Sequence, residues 1–317
     1  MKFTGRILFP FLLSFLALSQ LNAGITYDYV VAADGSGDVT TVQEAIDLCR
    51  AYRSETKHIF IKNGVYHEKV LIPSYLAHIH LVGESRDSTV ISWDDHVGKG
   101  TIGTFQSYTL KVTGNEVTIE NLTIENASGR VGQAVALHVE GDCVKVINCN
   151  LLGNQDTLYA TGRLSRQYYG NCHIEGTTDF IFGSATALFE RCTIHSKENS
   201  FITAASTPDS LDFGYVFMDC KLTADEGVDR VYLGRPWRDF ANVVYLRCEM
   251  GDHIVAEGWN NWSRPEREKT AFYAEYECTG PGASREGRVA WSHELKKKEA
   301  RKYSPENIFS ISTTWEP

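Results

Sequence analysis

Short β-rich runs recur along this 317-residue chain and end at regularly spaced positions. Leu122 marks the first of these run ends. The others are the cysteines at 149, 172, 192, 220, 248 and 278, spaced 20 to 30 residues apart. Two positions after Leu122 and after each of the first five cysteines stands an apolar residue: Ile124, Leu151, Ile174, Ile194, Leu222 and Met250. Since residues two apart on a strand share a face, each run predicts one buried strand edge.

This period predicts a parallel β-helix, in which each period is one turn of a solenoid. Successive turns stack at strand spacing, about 4.8 Å, so residues one period apart become neighbours in space. The segments between strands contain no amphipathic helical pattern. A β-sandwich or an antiparallel barrel is the alternative, but those folds need turn signals every ~8 to 12 residues, and such signals are sparse here.

Helical patterns are confined to the two ends of the chain. Thr41 and Glu44 form a capping box, which predicts a short helix that covers the open N-terminal end of the solenoid. A second pattern, over residues 292–302, predicts a solvated surface helix near the C-terminus.

The first 23 residues have the pattern of a secretory signal peptide, with Lys2 and Arg6 before an apolar run and the small residue Ala23 at its end. We therefore expect residues 1–23 to be a signal peptide, residues 24–317 to form one domain, and the mature protein to be secreted or periplasmic without a membrane anchor. The formal net charge of −9 argues against binding to nucleic acid.

Eight cysteines in an exported chain admit two interpretations. Stacked inward thiols can fill the core as small apolar groups, or they can form disulfides. The shortest interval, between Cys172 and Cys192, places two Cα atoms on adjacent turns within bridging distance. We therefore predict a disulfide between these two residues.

The stacking rule also brings several polar residues together. Gln133 and Gln155 are 22 residues apart, Asp156 and Asp179 are 23 apart, and Arg235 follows Asp179 by 56, which is two turns. These side chains are expected to converge on one face. Two carboxylates on adjacent turns do not both ionise at low cost, so one is expected to serve as an acid while a cation keeps the other negative.

Several ordered blocks of this sequence resemble those of pectin methylesterases, and together they span residues 34–295. They are DGSGDVTTVQEAID (34–47), GVYHEKV (64–70), GQAVAL (132–137), QDTLY (155–159), GTTDFIFG (176–183), LGRPW (233–237), GWNNW (258–262) and RVAWSHEL (288–295). The resemblance implies an all-β, right-handed, single-stranded parallel β-helix. It further implies an enzyme that hydrolyses galacturonate methyl esters in pectin, releases methanol and needs no metal or cofactor.

Residue by residue, the resemblance implies that Asp179 is the nucleophile, that Asp156 is the general acid and then base, and that Arg235 holds Asp179. Gln133 and Gln155 would form the oxyanion hole.

Aromatic residues beside these positions are expected to bind the substrate, methylated homogalacturonan. They are Trp237, Tyr159 and Phe182. The predicted enzyme acts as a monomer.

Three other functions are compatible with a solenoid of this kind. A polygalacturonase-type glycoside hydrolase would also use paired acids. A pectate lyase would need a calcium-binding acidic cluster, which the sequence lacks. A non-catalytic polysaccharide-binding solenoid would need neither the two glutamines nor the Arg–Asp pair.

Overall fold

The computed structural model describes residues 26–310 and 315–317, and the predicted signal peptide lies outside these residues. Within the described part, every paired strand is parallel, and the strands form three sheets, here numbered 1 to 3. The chain visits the three sheets in that order and repeats the circuit. Together with the right-handed rule for parallel crossovers, this is the predicted right-handed parallel β-helix.

Sheet 1 contains Tyr29–Val31, Lys57–Ile61, Ile79–Gly83, Thr118–Glu120, Val144–Ile147, Arg166–Gly170, Thr186–Glu190, Tyr215–Met218, Asn242–Leu246, Phe272–Tyr276 and His293–Glu294. Sheet 2 contains Gly64–His67, Thr89–Trp93, Thr123–Asn126, Asn150–Leu152, His173–Gly176, Thr193–Ser196, Lys221–Ala224 and Glu249–Met250. Sheet 3 contains Val70–Ile72, Leu110–Val112, Leu137–Val139, Leu158–Ala160, Ile181–Gly183, Phe201–Ala205 and Tyr232–Pro236.

The predicted inward row of apolar residues is confirmed in sheet 2. Its members pair in register from turn to turn, and each is almost fully buried: Ile124, Leu151, Ile174, Ile194, Leu222 and Met250. Sheet 1 adds a row of stacked rings with centroid spacings of 4.4 to 4.7 Å, formed by Tyr169, Phe189, Phe217 and Tyr245. Because each turn buries its side chains against the next, the core grows with the number of turns.

The corner between sheets 1 and 2 has the same backbone on successive turns. The six regularly spaced cysteines, from Cys149 to Cys278, form a column along this corner. The residue before each of these cysteines has a positive φ, between +47° and +55°: Asn148, Asn171, Arg191, Asp219, Arg247 and Glu277. Asn121 precedes Leu122 with a φ of +60°. The left-handed residue turns the chain, so that the following residue points into the core.

The predicted disulfide between Cys172 and Cys192 is wrong, because all eight cysteines are free. The Cys172 thiol donates to the carbonyl oxygen of Val146, and the Cys192 thiol donates to that of Tyr169. In-register stacking holds their Cα–Cβ bonds side by side, about one strand spacing apart, whereas a disulfide needs Cβ atoms that converge to about 3.8 Å. The column is therefore a row of buried thiols.

The ends of the solenoid differ from each other. The N-terminal helix, Val42–Asp47, has the predicted capping box of Thr41 and Glu44 and buries its apolar face. The predicted helix over 292–302 is wrong in extent, because His293–Glu294 pairs with sheet 1 and the helix covers only Lys297–Ala300. A further helix spans Pro305–Ile308. Among the described residues, no helix has the length and apolar character that a membrane span requires.

Candidate active site

The outer face of sheet 3 forms the floor of a cleft. Tyr159, Phe182, Ala204 and Arg235 occupy one position on four successive strands, since each pairs with the next in register. Their side chains therefore follow one another along the outside of the solenoid. This row places Arg235 two turns from the strand Ile181–Gly183, which Asp179 precedes, and the 56-residue spacing of Asp179 and Arg235 predicts the same two turns.

The two aspartates lie where the chain enters sheet 3. Asp156 is two residues before the strand Leu158–Ala160, and Asp179 is two residues before Ile181–Gly183. Both have a positive φ, +68° for Asp156 and +51° for Asp179, and both are more than nine-tenths buried. Strained backbone of this kind is tolerated where a side chain must point in a fixed direction.

Arg235 binds the Asp179 carboxylate with two hydrogen bonds. Its Nε donates to Oδ1 at 2.9 Å, and its Nη2 donates to Oδ2 at 2.6 Å. The guanidinium carbon also lies 3.9 Å from the ring centroid of Phe201 and 3.8 Å from that of Trp262. Asp179 thus accepts a bidentate, charge-assisted pair, which is the strongest type of hydrogen bonding available to a carboxylate.

These environments separate the two carboxyl groups. Burial raises the pKa of Asp156 well above its ordinary value, and the neighbouring Asp179 raises it further, while Arg235 acts in the opposite direction. Burial also raises the pKa of Asp179, but the hydrogen bonds and charge of Arg235 oppose that shift. Of the two carboxyls, Asp156 is therefore the one whose surroundings favour the protonated form, and Asp179 is the one whose anion Arg235 stabilises.

The cleft has a volume of about 240 Å³ and brings the predicted polar residues together. Gln133, Gln155, Asp156, Asp179 and Arg235 all line it. The two glutamines occupy adjacent turns, where their backbones form an isolated parallel bridge.

The predicted aromatic residues lie on the same face but differ in their access to the cleft. Phe182 and Trp237 line it, with their ring centroids 6.0 Å apart. Tyr159 is not a lining residue. Its ring stacks on Phe182 at 4.5 Å and on Phe105 at 4.9 Å. Tyr159 therefore lies next to Phe182 in the row and packs against the aromatic side of the cleft.

Four other lining residues were absent from the sequence prediction: Thr104, Phe105, Ala204 and Trp262. Trp262 ends the block GWNNW, so its motif was visible although its contact with Arg235 was not. Thr104 and Phe105 lie in a 3-10 turn, Thr104–Gln106, within a long excursion between sheets 2 and 3. No repeat marks that excursion, so spacing gave no signal for it. The position of Ala204 in the cleft follows from the register of sheet 3, because Ala204 pairs with Phe182 on one side and with Arg235 on the other.

Within residues 26–310 and 315–317, no group of three or more His, Cys, Asp or Glu side chains is arranged to hold a metal ion. The predicted polar residues of the cleft supply two carboxyls, one guanidinium and two primary amides, and Thr104 adds a hydroxyl. This set can supply a nucleophile, an acid and neutral hydrogen-bond donors.

Comparisons with known proteins identify the family of the chain. The family model described as Pectinesterase matches residues 28–312. Pectinesterase 31 of Arabidopsis thaliana is 40% identical over 282 residues, which cover 85% of this chain and 88% of that protein.

Solved structures are similar over the same region. Pectin methylesterase from carrot superposes with a TM-score of 0.87 at 33% identity, covering 90% of this chain and 94% of that one. A pectin methylesterase crystallised in complex with a hexasaccharide gives a TM-score of 0.81 at 28% identity, covering 93% of this chain and all of the other.

Proposed function

Since the chain belongs to the pectinesterase family and hydrolyses the methyl esters of pectin, we propose that Asp179 is its nucleophile and Asp156 its general acid and then base. The observation that carries this assignment is the bidentate pair between Arg235 and Asp179 beside a second, unpaired buried carboxyl. One group is kept negative and the other protonated, which is the division of roles that ester cleavage needs.

In the first half of the reaction, an Asp179 oxygen attacks the ester carbonyl carbon of a galacturonate residue. A bond forms between that oxygen and the carbon, and the carbonyl oxygen becomes negative. The bond to the methoxy oxygen then breaks, Asp156 gives its proton to that oxygen, and methanol leaves. A mixed anhydride joins the sugar to Asp179.

In the second half, Asp156 is ionised and acts as a base. It removes a proton from a water molecule as the water oxygen attacks the acyl carbon of the anhydride. The bond between that carbon and the Asp179 oxygen breaks, which restores the Asp179 carboxylate and leaves a galacturonic acid group that still carries the second hydrogen of the water. This acid then releases its proton to solvent and becomes a galacturonate carboxylate. Asp156 is protonated again, so the site is ready for another ester.

Gln133 and Gln155 supply donors for the negative oxygen in both halves. A side-chain amide donates N–H groups without adding a charge that would compete with Arg235. One oxyanion donor in such a site contributes about 3 kcal/mol to transition-state stabilisation. Both glutamines line the same cleft as the two aspartates.

The rings of Phe182 and Trp237 that line the cleft offer apolar surface for one face of a sugar ring and for an ester methyl group. We propose that Phe182 and Trp237 contact the polymer and that Tyr159 supports them through its stacking contacts. We also propose that the protein is exported through residues 1–23, acts as a monomer and binds neither nucleic acid nor membrane. The net charge of −9 supports the exclusion of nucleic acid.

The test is to incubate the purified protein with highly methylated pectin and to follow methanol, acid release, chain length and unsaturated ends together. The proposal predicts methanol and acid in equal amounts, with no new chain ends. New reducing ends without methanol would instead indicate a glycoside hydrolase, and new unsaturated ends a lyase. Binding without any product would indicate a non-catalytic solenoid.

A further inference from the structure

Arg235 is held by two aromatic rings as well as by Asp179. Its guanidinium carbon lies 3.9 Å from the ring centroid of Phe201 and 3.8 Å from that of Trp262. Cation–π attraction extends to about 6 Å, so both contacts are close. Two rings within 4 Å of one carbon atom cannot share a face of a planar guanidinium. Phe201 and Trp262 therefore enclose it from opposite sides.

Phe201 differs from Trp262 in its relation to the cleft. Trp262 is a lining residue, whereas Phe201 is not. Phe201 begins the strand Phe201–Ala205, and its backbone carbonyl accepts a hydrogen bond from the Asp179 N–H at 2.8 Å. Phe201 thus fixes the backbone of Asp179 through its carbonyl oxygen, and its ring contacts Arg235, which binds the Asp179 carboxylate.

We propose that Phe201 is a positioning residue for ester hydrolysis, whose ring, with Trp262 on the other face, holds the Arg235 guanidinium in the plane of the Asp179 carboxylate. A bidentate pair needs this coplanar arrangement, since rotation of the guanidinium out of the carboxylate plane breaks one of the two hydrogen bonds. The Phe201 ring acts through Arg235 and is not part of the cleft lining. The inference rests on the proposed role of Asp179 as nucleophile.

The charged and titratable groups around Asp179 come from three elements. Arg235 lies on the strand Tyr232–Pro236, Asp156 precedes Leu158–Ala160, and Tyr273 lies on Phe272–Tyr276. Burial raises the pKa of Tyr273 well above its ordinary value, and the charge of Asp179 raises it further, so this phenol stays neutral. Loss of the Phe201 ring weakens only the Arg235 interaction, which makes the ionised form of Asp179 less favourable.

The experiment compares Phe201→Leu, Phe201→Tyr and Tyr232→Leu with the wild-type protein. Leucine removes the ring but keeps an apolar side chain, and tyrosine keeps the ring. Tyr232 is the matched control because its ring stacks on Phe201 at 5.2 Å in the next strand. Methanol release from methylated pectin gives kcat, KM and the pH profile, and thermal melting shows that each variant is folded.

We expect Phe201→Leu to lower kcat about tenfold, the scale of a cation–π contact in a desolvated site, with KM little changed. The acidic limb of its pH profile should move to higher pH, because Asp179 must be ionised to attack. Phe201→Tyr should have the wild-type kcat and the wild-type acidic limb, because it keeps the ring. Tyr232→Leu should also behave as wild type. A Phe201→Leu enzyme with wild-type kcat and acidic limb would overturn the inference, as would equal damage by Tyr and Leu.

If Phe201→Leu does not fold, Trp262→Leu and Trp262→Phe provide the same comparison from the other face. Only Trp262→Leu should move the acidic limb, and an unmoved limb in that variant counts against the inference. Asp179→Asn separates this outcome from failure of the catalytic assignment. If Asp179→Asn is inactive while the ring variants are normal, only the role of Phe201 is wrong. If Asp179→Asn is active, the assignment of the nucleophile itself is wrong.

Discussion

Asp156 and Asp179 are the same residue type, have similar backbone conformations and are buried to the same extent, yet their expected chemistry differs. The difference comes from one partner. Arg235 binds Asp179 directly, whereas it reaches Asp156 only through its electric field. We infer that this one guanidinium decides which of the two carboxyls keeps a proton.

The raised pKa of Asp156 has a consequence for stability. Between the unfolded pKa of about 4 and its higher folded value, folding requires proton uptake, so this group costs more stability as the pH rises. Asp156→Asn removes that cost, and we expect the variant to be more stable than wild type by an amount that grows from about pH 4 upward. The measurement is the denaturant midpoint of both proteins from pH 4 to pH 8. A gain that does not vary with pH would contradict this account of Asp156.

At the scale of elements, the repeated corner between sheets 1 and 2 explains the cysteine spacing. A left-handed residue followed by an inward thiol recurs on successive turns, and the thiols donate to carbonyls of the preceding turn. Cysteine suits this position because it is small and its thiol is a weak donor that tolerates burial. The spacing therefore reflects packing and not covalent linkage.

A thiol titration tests that conclusion. In denaturant without reductant, we expect eight reactive thiols per chain, because all eight cysteines are free. In the native state most should be unreactive, since six of them are buried. Finding only six thiols in denaturant would show that one disulfide forms, and mass mapping would then decide whether it joins Cys172 to Cys192.

The sequence predicts the parts of this molecule that repeat. Stacking converts a spacing of one turn into contact, which is why the spacing predicts that Gln133, Gln155, Asp156, Asp179 and Arg235 converge and that the apolar row of sheet 2 is buried. Phe105 and Trp262 could not be placed in the same way, because they come from excursions whose lengths do not repeat. The conformation of Asp179 was also hidden, since positive φ at a non-glycine residue depends on tertiary contacts.

At the scale of the whole molecule, stability of a solenoid depends on closing its two ends. The N-terminal end is covered by the helix Val42–Asp47. Near the C-terminal end, Glu275 is almost fully buried and is bound by Arg285, Arg288 and the indole of Trp259. This ionic cluster ties the final turns to the last strands of sheet 1.

Removal of an arginine that binds Glu275 should therefore destabilise the protein strongly. Arg288 is as buried as Glu275, and we expect Arg288→Met to cost about 3 kcal/mol in the free energy of unfolding, because it leaves Glu275 undercompensated. The double variant Arg288→Met with Glu275→Leu should recover part of that loss. Urea denaturation measures the two single variants, Arg288→Met and Glu275→Leu, and the double variant. A double variant whose loss equals the sum of the two single losses would show that the two residues are not coupled.

The central claim is that Asp179 is the nucleophile, and the most direct test is the rate of methanol release by Asp179→Asn. The matched control is Asp219→Asn, because Asp219 also has a positive φ and a bidentate arginine partner, Arg247, but lies outside the cleft. We predict that Asp179→Asn remains folded and loses activity by about a thousandfold or more, while Asp219→Asn keeps wild-type kcat. Methanol release by folded Asp179→Asn at a rate near that of wild type would contradict the account.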